Sequence, residues 1–296
     1  RKIMMGDPGP MVPGWSYEAL LPTMTEKAEA YIADHADDEE PFFLFFSSTA
    51  PHTPINPTEE FQGTSRAGVY GDFVQQLDAT VGRINAALEK EGLLENTLVI
   101  LSSDNGSPGR DGSLEAPGTV LEKHGHNSSW ILRGRKAAVW DGGHRVPFIA
   151  QMPGTIAAGA SCGAMVCLMD LFATSAGMLE KDLPATAAED SFNLLPLLLG
   201  EKDKVRTELA NQGGNGLLGI RQDNWKLILG PGSGSSFFNP DPPINTYTEL
   251  MQLYDMDGDI REQHNRYFDL QDKVSELMGI LGRHVEGPTA PHATAL

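Results

Sequence analysis

Leu98-Val99-Ile100-Leu101-Ser102-Ser103-Asp104-Asn105-Gly106 is an apolar run that stops abruptly at an acid, an amide and a glycine. Its residues are β-branched or Leu and show no period-two alternation, the pattern of a strand covered on both faces of a parallel sheet. Gly106 permits a turn that a residue with a Cβ would resist. In open α/β sheets ligands bind outside the carboxyl ends of the strands, which is where Asp104 and Asn105 would arrive. A carboxylate beside an amide carbonyl is suitable chemistry for Ca²⁺ or Mg²⁺. An Asx-turn closing a strand explains the same residues, so the rest of the chain has to decide between the two.

Working outward, Phe42-Phe43-Leu44-Phe45-Phe46-Ser47 is a second continuous apolar run and reads as another buried strand. It ends in Ser48-Thr49-Ala50-Pro51-His52-Thr53-Pro54, which sets His52 just past a strand's carboxyl end. Between the two runs, Tyr70, Phe73, Val74, Leu77, Val81, Ile84 and Leu88 recur at helical spacing, and Gly92 is placed to end that helix. Strand, helix, strand predicts a right-handed crossover with His52 and Asp104 on one edge of a parallel sheet.

The flanking segments are less regular. Arg1 to Leu21 is rich in Gly, Pro and Met and reads as irregular, followed by a helix capped by Thr23 or Thr25 with Glu26 in its first turn. Ser107 to Arg135 is a long polar stretch containing His124, His126, Arg133 and Arg135, and long loops in compact domains are usually functional or disordered. Phe148-Ile149-Ala150 predicts a short strand, Met165 to Leu179 a helix, and Leu194 to Leu198 a short helix closed by Gly200. Beyond about Glu201, Gly219 to Leu229 predicts a hairpin turning at Gln222-Asp223-Asn224, Leu253-Tyr254-Asp255 a strand, and Phe268 to Val285 a closing amphipathic helix. Pro231 to Pro243 reads as a Gly/Ser/Pro loop.

Composition narrows the function classes. A chain of 296 residues with a formal charge of −18 repels nucleic-acid phosphates, and no basic stripe offsets that charge. The longest apolar run falls far short of the roughly 20 residues of a membrane span. Cys162 and Cys167 form neither a disulfide framework nor a zinc pattern. Arg1-Lys2-Ile3, with no initiator Met and no secretory apolar segment, is the expected opening of a processed or truncated product. In so acidic a protein Arg133, Arg135 and Lys136 are the candidates for a local positive pocket. His124 and His126 are weak as a metal pair, and His126 is taken as a substrate contact. Arg145 reads as a structural ion-pair partner and Asp141-Gly142-Gly143 as a tight turn. Asp255-Met256-Asp257-Gly258-Asp259 lacks the spacing and closing Glu of an EF-hand and reads as an acidic turn.

Ala50-Pro51-His52, Ser103-Asp104-Asn105-Gly106, the Lys136 to Pro147 stretch with Trp-Asp-Gly-Gly-His-Arg-Val-Pro, Asp170-Leu171-Phe172-Ala173-Thr174 and Leu253-Tyr254-Asp255 follow one another in the order and spacing of a known family. Together they resemble the carboxyl-terminal part of the type I sulfatases of the alkaline phosphatase superfamily. The resemblance implies an α/β fold with a mixed, largely parallel sheet flanked by helices and a small carboxyl-terminal antiparallel sheet plus helix. It divides the chain at 1–205 and 206–296. It implies that Asp104 and Asn105 are two of four protein ligands to Ca²⁺, with Mg²⁺ second. Lys136 then contacts a sulfate oxygen and the bridging oxygen, and His52 stands near the leaving-group oxygen.

The implied substrates are sulfated carbohydrates or aryl sulfates, and the implied setting is an exported protein. A phosphate or phosphonate ester hydrolase of the same superfamily, or a non-catalytic sulfatase-like remnant, are the rival readings. The family's formylglycine-forming Cys/Ser-x-Pro-x-Arg motif is absent from these residues, as are its amino-terminal paired aspartates. The expectation is therefore a chain with no turnover of its own, an exposed sheet edge and poor solubility.

Overall fold

The computed structural model describes residues 10–111, 118–235 and 250–286. The chain divides into two compact units that cut across its linear order: 1–99 with 109–128, and 100–108 with 129–296. Most of the Pro231 to Pro243 loop and the start of the Arg1 to Leu21 segment fall outside the described residues.

In the first unit, helix α1 (Tyr17–Asp34) begins earlier than the Thr23 or Thr25 cap predicts. Ser16 takes that role, its Oγ accepting from the Ala19 N–H at 3.1 Å, and Pro22 is accommodated inside the helix. Thr25 lies instead in the buried face and returns its hydroxyl to the Leu21 carbonyl at 2.8 Å. Helix α2 (Gly68–Lys90) follows the predicted spacing and stops before Gly92, whose φ of +72° suits glycine. Leu21, Ala50, Ile55, Tyr70, Phe73 and Val120 form the core on which α1 and α2 close. The polar stretch after Pro108 is less irregular than its composition suggests. Thr119 and Glu122 make a reciprocal capping box at the start of helix α3 (Val120–His124), and Lys123 pairs with the buried Asp111.

Phe42 to Ser47 is not a strand. The run is outside any sheet ladder, and its burial alternates: Phe43 and Phe45 are 74% and 76% exposed, whereas Phe42, Leu44 and Phe46 are half-buried. Phe46 packs on the core and Phe42 meets Tyr31 edge-on. An apolar run becomes a ladder strand only where a partner strand completes its hydrogen bonds, and among the described residues none does so here.

In the second unit, strand β1 (Val99–Ser102) is hydrogen-bonded to β2 (Phe148–Gln151), and one turn of helix, α4 (Asp141–His144), precedes β2. Helix α5 (Asp170–Met178) is shorter than the Met165 to Leu179 prediction. The Asp170 carboxylate accepts the Cys167 and Phe192 N–H groups and pairs with the buried Arg206, which consumes the preceding residues in a turn. The short helix α6 (Leu195–Leu198) follows.

The carboxyl-terminal part is an antiparallel sheet in the order β3 (Glu208–Gln212), β4 (Leu218–Gln222), β5 (Trp225–Ile228), β6 (Gln252–Asp255). The β4–β5 hairpin pairs Gln222 with Trp225, leaving Asp223 and Asn224 as its turn, with Asp223 at φ +48°. Ile220, Leu227 and Leu253 from the sheet bury against Val274, Leu277, Ile280 and Leu281 of the closing helix α7 (Gln271–Glu286).

Candidate functional site

β1 runs directly into Ser103-Asp104-Asn105-Gly106. The Ser103 hydroxyl donates to the Asn105 carbonyl at 3.0 Å, and the Asn105 Nδ2 donates to the Gly106 carbonyl at 3.1 Å. That bond uses the Asn105 Nδ2 as donor, so the Asn105 amide oxygen and the exposed Asp104 carboxylate are oxygen atoms that could hold a hard cation. The Asx-turn and the ligand readings are therefore compatible. Among the described residues no group of three or more His, Cys, Asp or Glu side chains could hold a metal.

Two backbone hydrogen bonds tie this turn to the loop from Arg133 to Arg145. The Gly106 N–H donates to the Gly143 carbonyl at 3.0 Å, and the Lys136 N–H donates to the Ser107 carbonyl at 3.1 Å. A Cβ on Gly106 would lie 1.9 Å from the Gly142 carbonyl oxygen, so only glycine allows the approach. Gly142 is equally confined, since a Cβ there would lie 2.2 Å from the Gly134 carbonyl oxygen. Asp141-Gly142-Gly143 is thus the expected tight turn, built as the single helical turn α4. The turn brings Asp104, Asn105 and Lys136 together along one short stretch of bonded backbone.

The loop is anchored in the antiparallel sheet. Val139 donates to the Ser233 carbonyl at 2.7 Å and accepts from Asn211 Nδ2 at 3.1 Å, while the Trp140 indole donates to Gln252 Oε1 at 3.0 Å. Ala138, Val139 and Trp140 are buried with Ile228, Tyr254 and Met256. The Arg133 guanidinium stacks 3.6 Å over the Trp140 ring and donates to Tyr254 Oη at 3.0 Å and the Glu262 carbonyl at 2.6 Å. The side chain of Arg133 is thereby engaged by the loop and its supports.

Beneath the loop is a cluster that the sequence reading missed. Lys226, 1% exposed, holds Asp141 Oδ1 and Glu262 Oε1 at 2.8 Å each, and Glu262 Oε2 accepts the Asp141 N–H at 2.7 Å. Burial pushes the Asp141 carboxyl up, but Lys226, with Arg221 and Arg145, outweighs it and keeps Asp141 below the usual carboxylate range. Glu262 goes the other way: burial, with the Asp141 charge beside it, raises its carboxyl against the pull of Lys226. Arg145 meets Asp141 Oδ2 at 3.8 Å, in keeping with an ion-pair role. One signal was available in the sequence, a lone Lys between Trp225 and Leu227-Ile228 in a strand otherwise apolar.

His52 and His126 belong to the other unit. The cis Ala50-Pro51 and Thr53-Pro54 peptides bracket His52, which is exposed, with Nδ1 2.7 Å from the Thr53 carbonyl. A carbonyl only accepts, so Nδ1 carries the proton of that bond. His126 is exposed, two residues after a His124 whose ring sits over Gly68 at the start of α2.

The sulfatase family model matches residues 9–181. The chain is 33% identical over 274 residues to an N-acetylgalactosamine-6-O-sulfatase of Bacteroides thetaiotaomicron, covering 90% of this chain and 51% of that protein. It is 31% identical over 305 residues to the steryl-sulfatase of Rattus norvegicus, covering 95% and 49%. A solved structure from work on the metabolism of multiple glycosaminoglycans by Bacteroides thetaiotaomicron superposes with a TM-score of 0.79 at 31% identity, over 91% of this chain and 55% of that one. The chain spans about half the length of the curated relatives it matches. The fold is accordingly the α/β fold of the alkaline phosphatase superfamily with a carboxyl-terminal antiparallel sheet. On its sequence motifs, its fold and these relatives, the chain belongs to the sulfatase family.

Proposed function

We propose that a protein of full family length containing this chain is a Ca²⁺-dependent sulfuric ester hydrolase acting on sulfated carbohydrates, with aryl sulfates as simpler substrates. The observation that supports this reading is the pair of backbone bonds from Gly106 to Gly143 and from Lys136 to Ser107, which ties the loop that carries Lys136 to the turn that carries Asp104 and Asn105. The name of the Bacteroides thetaiotaomicron relative supports the carbohydrate class, while that of the Rattus norvegicus relative supports the wider class of sulfate esters.

Asp104 and Asn105 supply two hard oxygen donors, which fit Ca²⁺ better than Mg²⁺ because Ca²⁺ accepts a larger and less regular oxygen shell. The bound ion supplies a fixed positive charge for the nonbridging sulfate oxygens. Lys136 adds a second positive charge toward the ester, where negative charge grows on the bridging oxygen as the S–O bond breaks. By the family resemblance His52 acts at the leaving-group oxygen: with its Nδ1 proton bonded to the Thr53 carbonyl, Nε2 delivers a proton from the doubly protonated ring, which is left neutral with its proton on Nδ1. His126 contacts the substrate. Arg133 serves the site indirectly, by holding Trp140 and the loop that carries Lys136.

The test is sulfate release from sulfated carbohydrates by the full-length protein with Ca²⁺. Asp104→Ala and Asn105→Ala should each lower kcat/KM by about a hundredfold or more. The 296-residue chain alone should release no sulfate. Hydrolysis of phosphate esters without hydrolysis of sulfate esters would overturn the reading.

A further inference from the structure

The loop that carries Lys136 packs against a sheet that contributes no proposed ligand, yet the contact centres on three buried charges. Lys226 on β5, Asp141 at the head of α4 and Glu262 after β6 are 1%, 6% and 0% exposed. Glu262 closes the triangle by using one oxygen on Lys226 and the other on the backbone N–H of Asp141. Taking such charges out of water is costly, and apolar side chains of similar volume would fill the space at lower cost. What the ions add is direction: a single ammonium fixes two carboxylates, and one of those carboxylates fixes the first backbone amide of α4.

From that amide the path to the metal pair is short and has no slack. α4 contains Gly142 and Gly143; the Gly143 carbonyl receives the Gly106 N–H, and the Gly142 carbonyl oxygen fills the space where a Cβ of Gly106 would stand. Close-packed backbone without voids transmits displacement instead of absorbing it. Gly106 is the residue next to Asn105, so the height and tilt of α4 set the position of the turn.

We propose that Lys226 is the positioning residue of the Asp104–Asn105 pair, acting through Asp141, Glu262 and the Gly143–Gly106 hydrogen bond. This rests on the reading of Asp104 and Asn105 as cation ligands given above. It assigns to the antiparallel sheet the task of orienting a ligand turn to which it donates no atom.

Amide hydrogen exchange on the 296-residue chain tests it. Lys226→Met should speed exchange of the Gly106 and Gly143 amides by about tenfold or more while amides of α7 stay within about twofold. Leu277→Ala, which loosens the sheet–helix core away from the loop, is the control and should show the reverse pattern. If Lys226→Met does not fold, Asp141→Asn keeps the volume, removes one charge and should show the same selective change at smaller size. An unprotected Gly106 amide in the unaltered chain, no change in the variants, or a rise that merely follows α7 would overturn the proposal. The same exchange with added Ca²⁺, run on a protein of full family length containing this chain because these residues supply only two of the four proposed ligands, separates the two readings. Failure of Ca²⁺ to slow exchange around Asp104 counts against the ligand assignment, and the Lys226 pattern without it counts against positioning of a metal pair.

Discussion

The Arg133–Arg145 loop and the Phe42–Ser47 run present opposite solutions to covering side chains. The loop is rich in charge and glycine, yet Ala138, Val139 and Trp140 are buried, Asp141 is paired, and Gly134, Gly142 and Gly143 stand where a Cβ would collide. The run is almost wholly apolar, yet Phe43 and Phe45 face solvent and no ladder partner completes its backbone bonds among the described residues. Hydrophobicity alone therefore did not decide burial. What decided it was whether the chain supplies partners for the polar backbone groups that must be buried along with the side chains.

The largest expected effect strikes the loop. Gly106→Ala forces a Cβ into the Gly142 carbonyl, and in denaturant unfolding it should cost more than about 4 kcal/mol or prevent folding. A cost under about 1 kcal/mol would mean that the loop yields, and the contrast would fail.

Next comes the charge cluster, through pH. Glu262 has a raised carboxyl pKa, so its contribution is full at low pH and is lost as pH rises from about 4.3, the ordinary glutamate value, through its folded value. Asp141 has the opposite sign, and its contribution is lost as pH falls below about 3.9 through its lowered value. Thermal unfolding of Glu262→Gln across pH should show a flatter decline on the alkaline side and an unchanged acid limb. An unaltered alkaline decline would show that Glu262 is not its source.

Two smaller effects test the other side. Gly82 sits inside α2, and a methyl group added there would meet nothing within 4 Å, so Gly82→Ala should stabilise by about 1 kcal/mol through helix propensity, in contrast to Gly106. Phe43→Ser with Phe45→Ser should change stability by no more than about 0.5 kcal/mol, because both rings are already in water. The same pair should lower self-association measured by light scattering, and unchanged association would place the adhesive surface elsewhere.

Much of the site was legible because the chemistry is local. Asp104 and Asn105 follow an apolar strand within a few residues, and Gly106 announces a turn, so β1 and the turn after it could be read directly. α2 was legible from its period and Gly92, and the β4–β5 hairpin from its two-residue turn. Helix α1 was misplaced because Ser16 and not a threonine caps it. α3 was missed because its five residues are too few to show a period, although Thr119 and Glu122 carry the capping signature. β3 was missed because Glu208 to Gln212 lacks a clear alternation and is recruited by its pairing with β4.

The sequence by itself determined the family, the order of the elements around the site, and the residue types available for a cation and an anionic ester. Those follow from motifs in which neighbouring residues act together. Only the tertiary structure decided that Phe42 to Ser47 lies open, that Arg133 spends its guanidinium on Trp140 and Tyr254, and that Lys226 and Glu262 stand beneath the loop. Each of these depends on a partner far away in the chain, and burial, stacking and ion pairing are properties of the pair and not of either residue alone.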